Sequence, residues 1–403
     1  MKFPRLVLNL GAVALLAMSA VPAQARGYTP KGTCEGYPRV DIKTPAGYCV
    51  ALVADERQGL KFPRRLLEVA PGRFWLTDMG GWDKGRGRLL EMTLQKNGAA
   101  PVFKTLLEGL DRPHGLALGP DGKAYIGEAT RIWRSPVTGA LTQEVVIDQL
   151  PGDGAHPLKE MAFGSGGKLY VNVGSFSDSC KNDAQQQPRP CPEVAGDKPR
   201  AAVYEAVLGG AGLALQSFKP FATGLRNSMA LAVVVKAGQP DVVLQGENSI
   251  DYPDVATPHE EVNVLQAGAN YGWPYCVENQ KPARGYEAGA TCATTRAPVS
   301  LWPAHVAPLQ MLIAPAKTSA WAGQALVAWH GYKPAGQRVM AFTLDTKGQP
   351  AGGGTEILGN WAAKTGVRPQ GAPTGLALAA DGHLFVVEDR NRTVLMLGRD
   401  SPP

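Results

Sequence analysis

The sequence predicts an all-β protein, a six-bladed β-propeller of four-stranded antiparallel blades, and three observations lead there. A strand-turn-strand unit recurs along the chain with one grammar, glycine and proline are abundant as short strands and many turns require, and helical periodicity is sparse. Each unit is too small to bury its own faces, so neighbours must stack. A closed ring of radial blades suits the hairpin spacing better than a sandwich or a solenoid.

Residues 1–25 open with Lys2 and Arg5, run through the apolar stretch LVLNLGAVALLAMSAV and close on Ala23-Gln24-Ala25. That is the pattern of a cleavable export signal, with maturation near Arg26. No later stretch approaches the ~20 apolar residues of a membrane span. Residues 26–44 read as an N-terminal extension and 45–398 as the propeller. The strand-like CVALVADE at 49–56 lies far from any blade of its own and is expected to pair with the last blade near Val394 to Leu397, closing the ring.

The blade units follow in order: FPRRLLEVAPGRFWLTD at 62–78, PHGLALGPDGKAYIGE at 113–128, LKEMAFGSGGKLYVNVG at 158–174, the looser NSMALAVVVKAGQPDVVLQGE at 227–247 and SAWAGQALVAWHGYKPAGQRVMAFTL at 319–344, and PTGLALAADGHLFVVED at 373–389. Asp-Gly and Gly-Gly pairs supply positive φ at tight hairpins. Alternating residues such as Leu169, Val171 and Val173 turn one face inward.

Six cysteines fall into three sequence-local pairs, Cys34 with Cys49, Cys180 with Cys191 and Cys276 with Cys292, each bracketing a polar loop. They are expected to be local disulfides formed in an oxidising compartment. No CxxCH, CxxC or HExxH occurs, which leaves covalent haem, a zinc ribbon and a zincin site unsupported. The formal charge of +6 becomes +4 without the leader, 39 basic against 35 acidic residues, and the basic residues are scattered. Nucleic-acid binding has no footprint here. A Gly-rich phosphate fingerprint is also missing, so a nicotinamide acceptor is not expected.

Two motifs are more specific than the blades: GLRN at 224–227 and EEVNVLQAGANYGWP at 260–274. Together with the repeats they resemble the soluble glucose/sorbosone dehydrogenases, sugar oxidoreductases that use pyrroloquinoline quinone (PQQ) and calcium. The resemblance spans roughly Pro45 to Leu397 and lies closer to the sorbosone-type branch. It implies oxidation of an aldose or related sugar at its anomeric carbon, an unidentified electron acceptor and a periplasmic or secreted location.

Site residues follow from the same resemblance. His156, ahead of the AFGSGGKLYVNVG hairpin, resembles the catalytic base, and a neutral imidazole suits proton abstraction. Arg226 and Asn227 resemble the pair facing the quinone, where a guanidinium stabilises developing charge. Glu247 is the expected cofactor-facing carboxylate, and the carbonyls of Asn248 and Ser249 the expected ligands of the cofactor calcium. Glu261 with the Tyr271 carbonyl resembles a second, structural calcium site, hard oxygen donors being the right type.

Departures are equally legible. Ser175 stands where glucose-oxidising members carry an aspartate beside the histidine, which leaves Asp153 or Asp178 as substitutes. The last-blade arginine pair is reduced to Arg368. In the preceding blade His330, Lys333 and Arg338 are available for the family's cationic residue, Lys333 being the expected cofactor contact. Two other classes remain open from the residues: a lactonase-like hydrolase with a metal on Asn227, Glu247 and Asp251, and a catalytically silent binding propeller.

Overall fold

Hairpin by hairpin, the repeats close into sheets whose inward residues form the core between blades. A computed structural model of the chain describes residues 27–315, 320–361 and 371–400. The innermost strands are Pro63–Ala70, Leu116–Leu118, Met161–Phe163, Ala230–Val234, Pro308–Ile313 and Pro373–Leu378. Neighbours in that order touch, and the last touches the first, so the ring is closed. Each heads an antiparallel sheet whose strands step outward, giving six blades.

The closing blade takes its fourth strand from the other end of the chain. Tyr48–Ala54 pairs antiparallel with Thr393–Arg399, with Leu395 opposite Leu52 and Leu397 opposite Val50, the pairing expected from the sequence. Residues of the N-terminal extension then add two more strands to the same sheet, Tyr37–Val40 and Thr33–Cys34. The Cys34–Cys49 disulfide ties this edge together, and Cys180–Cys191 and Cys276–Cys292 complete the three expected local pairs.

The fifth blade differs in register from the sequence reading. The repeat at 319–344 supplies its second and third strands, Gln324–Trp329 and Arg338–Leu344, whereas the innermost strand lies upstream at Pro308–Ile313. A longer connection replaces the glycine hairpin there, so the shared grammar does not reach it. Residues 316–319 of that connection, like the leader 1–25, lie outside the described residues.

The chain descends each innermost strand and returns along the second. Loops entering the first strand and leaving the second therefore gather at one end of the axis. The segments around the two later disulfides pack there on a separate apolar cluster that includes Ile250, Trp273 and Tyr286.

The axis itself is polar and closed. Arg65, with no exposed surface, donates Nε to Glu160 Oε2 at 2.6 Å, Nη1 to the Thr374 carbonyl and Nη2 to Glu160 and the Leu309 carbonyl. His114 approaches the same carboxylate at 3.6 Å. This junction draws groups from blades 1, 2, 5 and 6 and from the loop entering blade 3, and it separates two hollows. The one at the far end, about 590 Å³, is walled by aliphatic side chains such as Leu118, Met311 and Leu312, with Glu160 as its only ionisable group besides Glu68. Chemistry is concentrated in the other.

Candidate active site

A cavity of about 350 Å³ opens where the loops converge. Its floor is apolar, built by Leu158, Met229 and Leu309, and its walls carry His156, Asn227, Arg64 and His330. An apolar pocket with a few converging polar groups is the form of a small-molecule site.

His156 sits on the 148–160 loop. Lys159 is fully buried and donates Nζ to the carbonyls of Pro151 at 2.7 Å and Pro157 at 2.6 Å, which pins both sides of that loop. The imidazole Nδ1 meets the Ser175 carbonyl at 3.1 Å and the Ser175 hydroxyl at 2.9 Å. The hydroxyl spends its own proton on the Ser177 carbonyl at 2.7 Å, so both oxygens accept from Nδ1–H. That assignment leaves the lone pair on Nε2 (tautomer inferred from the network). Burial, then the nearby Arg226 charge, depress the imidazole pKa to about 3, so the ring is neutral at physiological pH.

Ser175 thus does the orienting expected of a carboxylate. The two aspartates named as substitutes are engaged elsewhere: Asp153 pairs with Arg200, and Asp178 with Arg226 at 2.7 Å.

Arg226 is buried and heavily engaged. Its Nη2 pairs with Asp178 and, at 2.9 Å, with Asp251, while Nη1 donates to the Asn248 carbonyl at 2.8 Å and Nε to the Asp178 carbonyl at 3.1 Å. It acts on the cavity through its charge on His156. Asn227 lines the cavity directly, and its side-chain amide has no partner among the described residues. Asp251 is turned to Arg226 and 78% exposed, so Asn227, Glu247 and Asp251 do not converge as one metal-ligand set.

A chain of ion pairs forms the opposite wall, and most of it was missed from the sequence. Arg64 donates Nη1 to Asp389 at 2.7 Å and Nε to His114 at 3.0 Å, and His330 Nε2 lies 3.0 Å from Asp389. Arg64 Nη2 has no partner among the described residues and belongs to a side chain that lines the cavity. The signal was present: two adjacent arginines in the innermost strand of a blade, in FPRRLLEVA, need partners inside. Lys333 is exposed, and Arg338 pairs with Glu356 at 2.8 Å, away from the cavity. Arg368 lies outside the described residues.

Behind Asn227 sit three buried carboxylates. Burial raises Glu247 to about 7 and Glu260 to about 8, and Glu261 well above the carboxylate range, with Glu247 raising both others. Glu247 accepts from the Asn227 N–H, Glu260 from Ser249 and Ala307, and Glu261 from Asn263. The Asn263 Oδ1 is buried without a partner. The carbonyls of Ser249 and Tyr271 accept no hydrogen bond from a described residue. Acceptors in excess of donors at a buried site are what a hard cation would satisfy. Among the described residues no three carboxylates meet at metal-ligand spacing here, so amide and carbonyl oxygens would have to complete the shell.

The sequence matches the glucose/sorbosone dehydrogenase family over residues 119–397, more than half of the chain. The chain belongs to that family. Sugar dehydrogenases of this kind are oxidoreductases, and the match covers His156, the GLRN motif and the NYGWP motif alike. No match was found among curated proteins.

Solved structures show the shared fold of this glucose/sorbosone dehydrogenase. An AA12 carbohydrate-active enzyme from Trichoderma reesei superposes with a TM-score of 0.67 at 20% identity, covering 92% of this chain and 100% of that one. The PQQ domain of pyranose dehydrogenase from Coprinopsis cinerea gives 0.67 at 20% identity, with 91% and 99% covered. The soluble aldose sugar dehydrogenase of Escherichia coli gives 0.55 at 16% identity, with 87% and 99% covered.

Proposed function

We propose that this sugar dehydrogenase is an exported enzyme that oxidises an aldose at its anomeric carbon with PQQ and calcium. The observation that carries the reading is His156, whose Nδ1 is tied to Ser175 so that the unprotonated Nε2 is left for the cavity. A second is the excess of buried acceptors at Glu247, Glu260 and Glu261.

The residues present fit both groups. PQQ would be held in the axial cavity by Asn227, Arg64 and His330, with Arg226 and Glu247 behind them, the cofactor calcium by the carbonyls of Asn248 and Ser249, and a second, structural calcium by Glu261 with the Tyr271 carbonyl. When bound, the quinone supplies a two-electron acceptor for the C1 hydride and calcium polarises its carbonyl. His156 Nε2 takes the proton from the sugar hydroxyl. Leu158, Met229 and Leu309 keep water from the floor of the site, which strengthens every charge interaction above it. Cysteines fully paired in disulfides and the pattern of residues 1–25 support export, and no helix among the described residues is long and apolar enough to cross a membrane.

Adding PQQ and Ca²⁺ to purified protein and following dye reduction with a panel of aldoses tests the reading. Sugar-dependent reduction that needs both additions is expected. Lactone hydrolysis without dye reduction, or no turnover with any sugar, would overturn it.

The metal assignment has its own check. A chelator should lower the melting temperature, because an ion bound only by the native state stabilises it. Glu261→Gln should shrink that chelator effect. Equal sensitivity in variant and wild type would place the cation elsewhere.

A further inference from the structure

We propose that Glu193 is the positioning residue of the base: the carboxylate missing beside His156 is supplied from the end of the Cys180–Cys191 disulfide loop and acts on the imidazole through Ser177 and Ser175. The inference rests on the dehydrogenase reading above and concerns how its proton-transfer group is held.

Two oxygens face His156 Nδ1, and they are not equivalent. The Ser175 carbonyl can only accept. The Ser175 hydroxyl accepts only while its own proton is taken by the Ser177 carbonyl at 2.7 Å. With that carbonyl displaced, the hydroxyl is free to donate to Nδ1, the ring proton moves to Nε2, and the cavity loses its base. The position of Ser177 therefore decides which ring nitrogen carries the lone pair.

Glu193 fixes Ser177. Its Oε1 accepts from the Ser177 hydroxyl at 2.5 Å, and its Oε2 from the Ser177 N–H at 3.2 Å and the Phe176 N–H at 2.6 Å. The Phe176 carbonyl in turn accepts from the N–H of Ala155, the residue before His156, at 2.7 Å. One carboxylate thus reaches the histidine from two sides, through Ser175 to the ring and through Phe176 to the backbone. Three donors on two oxygens is a task for a carboxylate, since an amide would turn its own NH2 toward at least one of them.

Glu193 is itself anchored outside the cavity. It lies in a single helical turn, Pro192–Val194, directly after Cys191, and a carboxylate oxygen lies within 4.8 Å of both sulfurs of the Cys180–Cys191 bond. Those sulfurs are committed to each other, so the group is a brace and not a metal-ligand set. The Cys191 N–H donates to the Tyr275 hydroxyl at 2.7 Å, and the Glu193 carbonyl accepts from the Arg200 N–H at 2.7 Å. Support of this kind, outside the reacting group, is what keeps a catalytic side chain in one rotamer and one tautomer.

The test joins steady-state kinetics on the full chain reconstituted with PQQ and Ca²⁺ to ¹⁵N-histidine spectra of the same chain, in which the His156 ring is identified by its loss in His156→Gln. Wild type should carry the ring proton on Nδ1 and none on Nε2. Glu193→Gln, which keeps the side-chain volume, should bring in a population protonated on Nε2 and lower kcat by about 10- to 100-fold, the cost of a reacting group ~1 Å out of place. KM should change little, so kcat and kcat/KM fall together. Ser175→Asp sets a carboxylate directly beside the ring, and Glu193→Gln should cost much less in that background. A residue that only braced the fold would lower the melting temperature and kcat alike in both backgrounds and leave the tautomer alone. An Nδ1–H tautomer as pure in Glu193→Gln as in wild type overturns the positioning role, and so does an equal loss of kcat in the two backgrounds. If wild type oxidises no aldose but Glu193→Gln still shifts the tautomer, the positioning stands and the dehydrogenase reading falls.

Discussion

His156→Ala is expected to lower turnover of an aldose by about 10²- to 10⁴-fold, the range for a lost proton-transfer group, while PQQ still binds through the other walls of the cavity. Arg226→Ala should instead damage cofactor retention and rate together. Its guanidinium ties Asp178, Asp251 and the Asn248 carbonyl in one place, so its loss releases the loop that carries the Asn248 and Ser249 carbonyls. Stopped-flow reduction of reconstituted protein separates the two effects. An alanine variant at 156 that is as fast as wild type would remove the base from the mechanism.

The pH profile gives an independent reading of the same residue. Burial and Arg226, in that order, hold the imidazole down at about 3. Its neutral form therefore survives acidification, and kcat/KM should keep its value as pH falls through the ordinary histidine value of ~6.5. An acid limb centred at that ordinary value would contradict the burial described here. Stability moves with it. The unfolded chain takes up a proton near pH 6.5 that folded His156 refuses, so stability present above that pH is lost on further acidification toward the folded value. The melting temperature of His156→Ala should fall less steeply over that window.

The second large effect is structural. Arg65→Met is expected to cost about 3–5 kcal/mol in urea unfolding, because it leaves Glu160 buried and unpaired. The double variant Arg65→Met/Glu160→Met should recover much of the loss, since a buried ion pair replaced by apolar side chains of similar volume is often close to neutral. The carbonyls of Thr374 and Leu309 would still lose their donor, so recovery should stop short of wild type. A double variant no more stable than the single one would mean that the pair contributes through those carbonyls and not through its charge.

Much of the architecture could be read in the chain because blade patterning is local. A tight glycine turn flanked by alternating Val, Leu and Tyr specifies a hairpin wherever it lies, and a row of such hairpins has few ways to bury its faces. The three disulfides were legible for the same reason, since each closes a short loop. The fifth blade shows the limit: Pro308–Ile313 reaches its partner through a long connection, and no short glycine turn joins the two strands as in the other blades.

The wall of the cavity marks the other boundary. His156 and Asn227 stand beside the motifs that singled them out, and both line the cavity; the sequence by itself determined the fold and the family. Only the tertiary structure decided that Ser175 orients the imidazole, that Arg226 is occupied by Asp178 and Asp251, and that Arg64, His330 and Asp389 meet across the axis from blades 1, 5 and 6. Arg64 and Asp389 are 325 residues apart in the chain. Their contact depends on ring closure by Tyr48–Ala54, and a charge pair formed by closure leaves no periodicity in the sequence on either side of it.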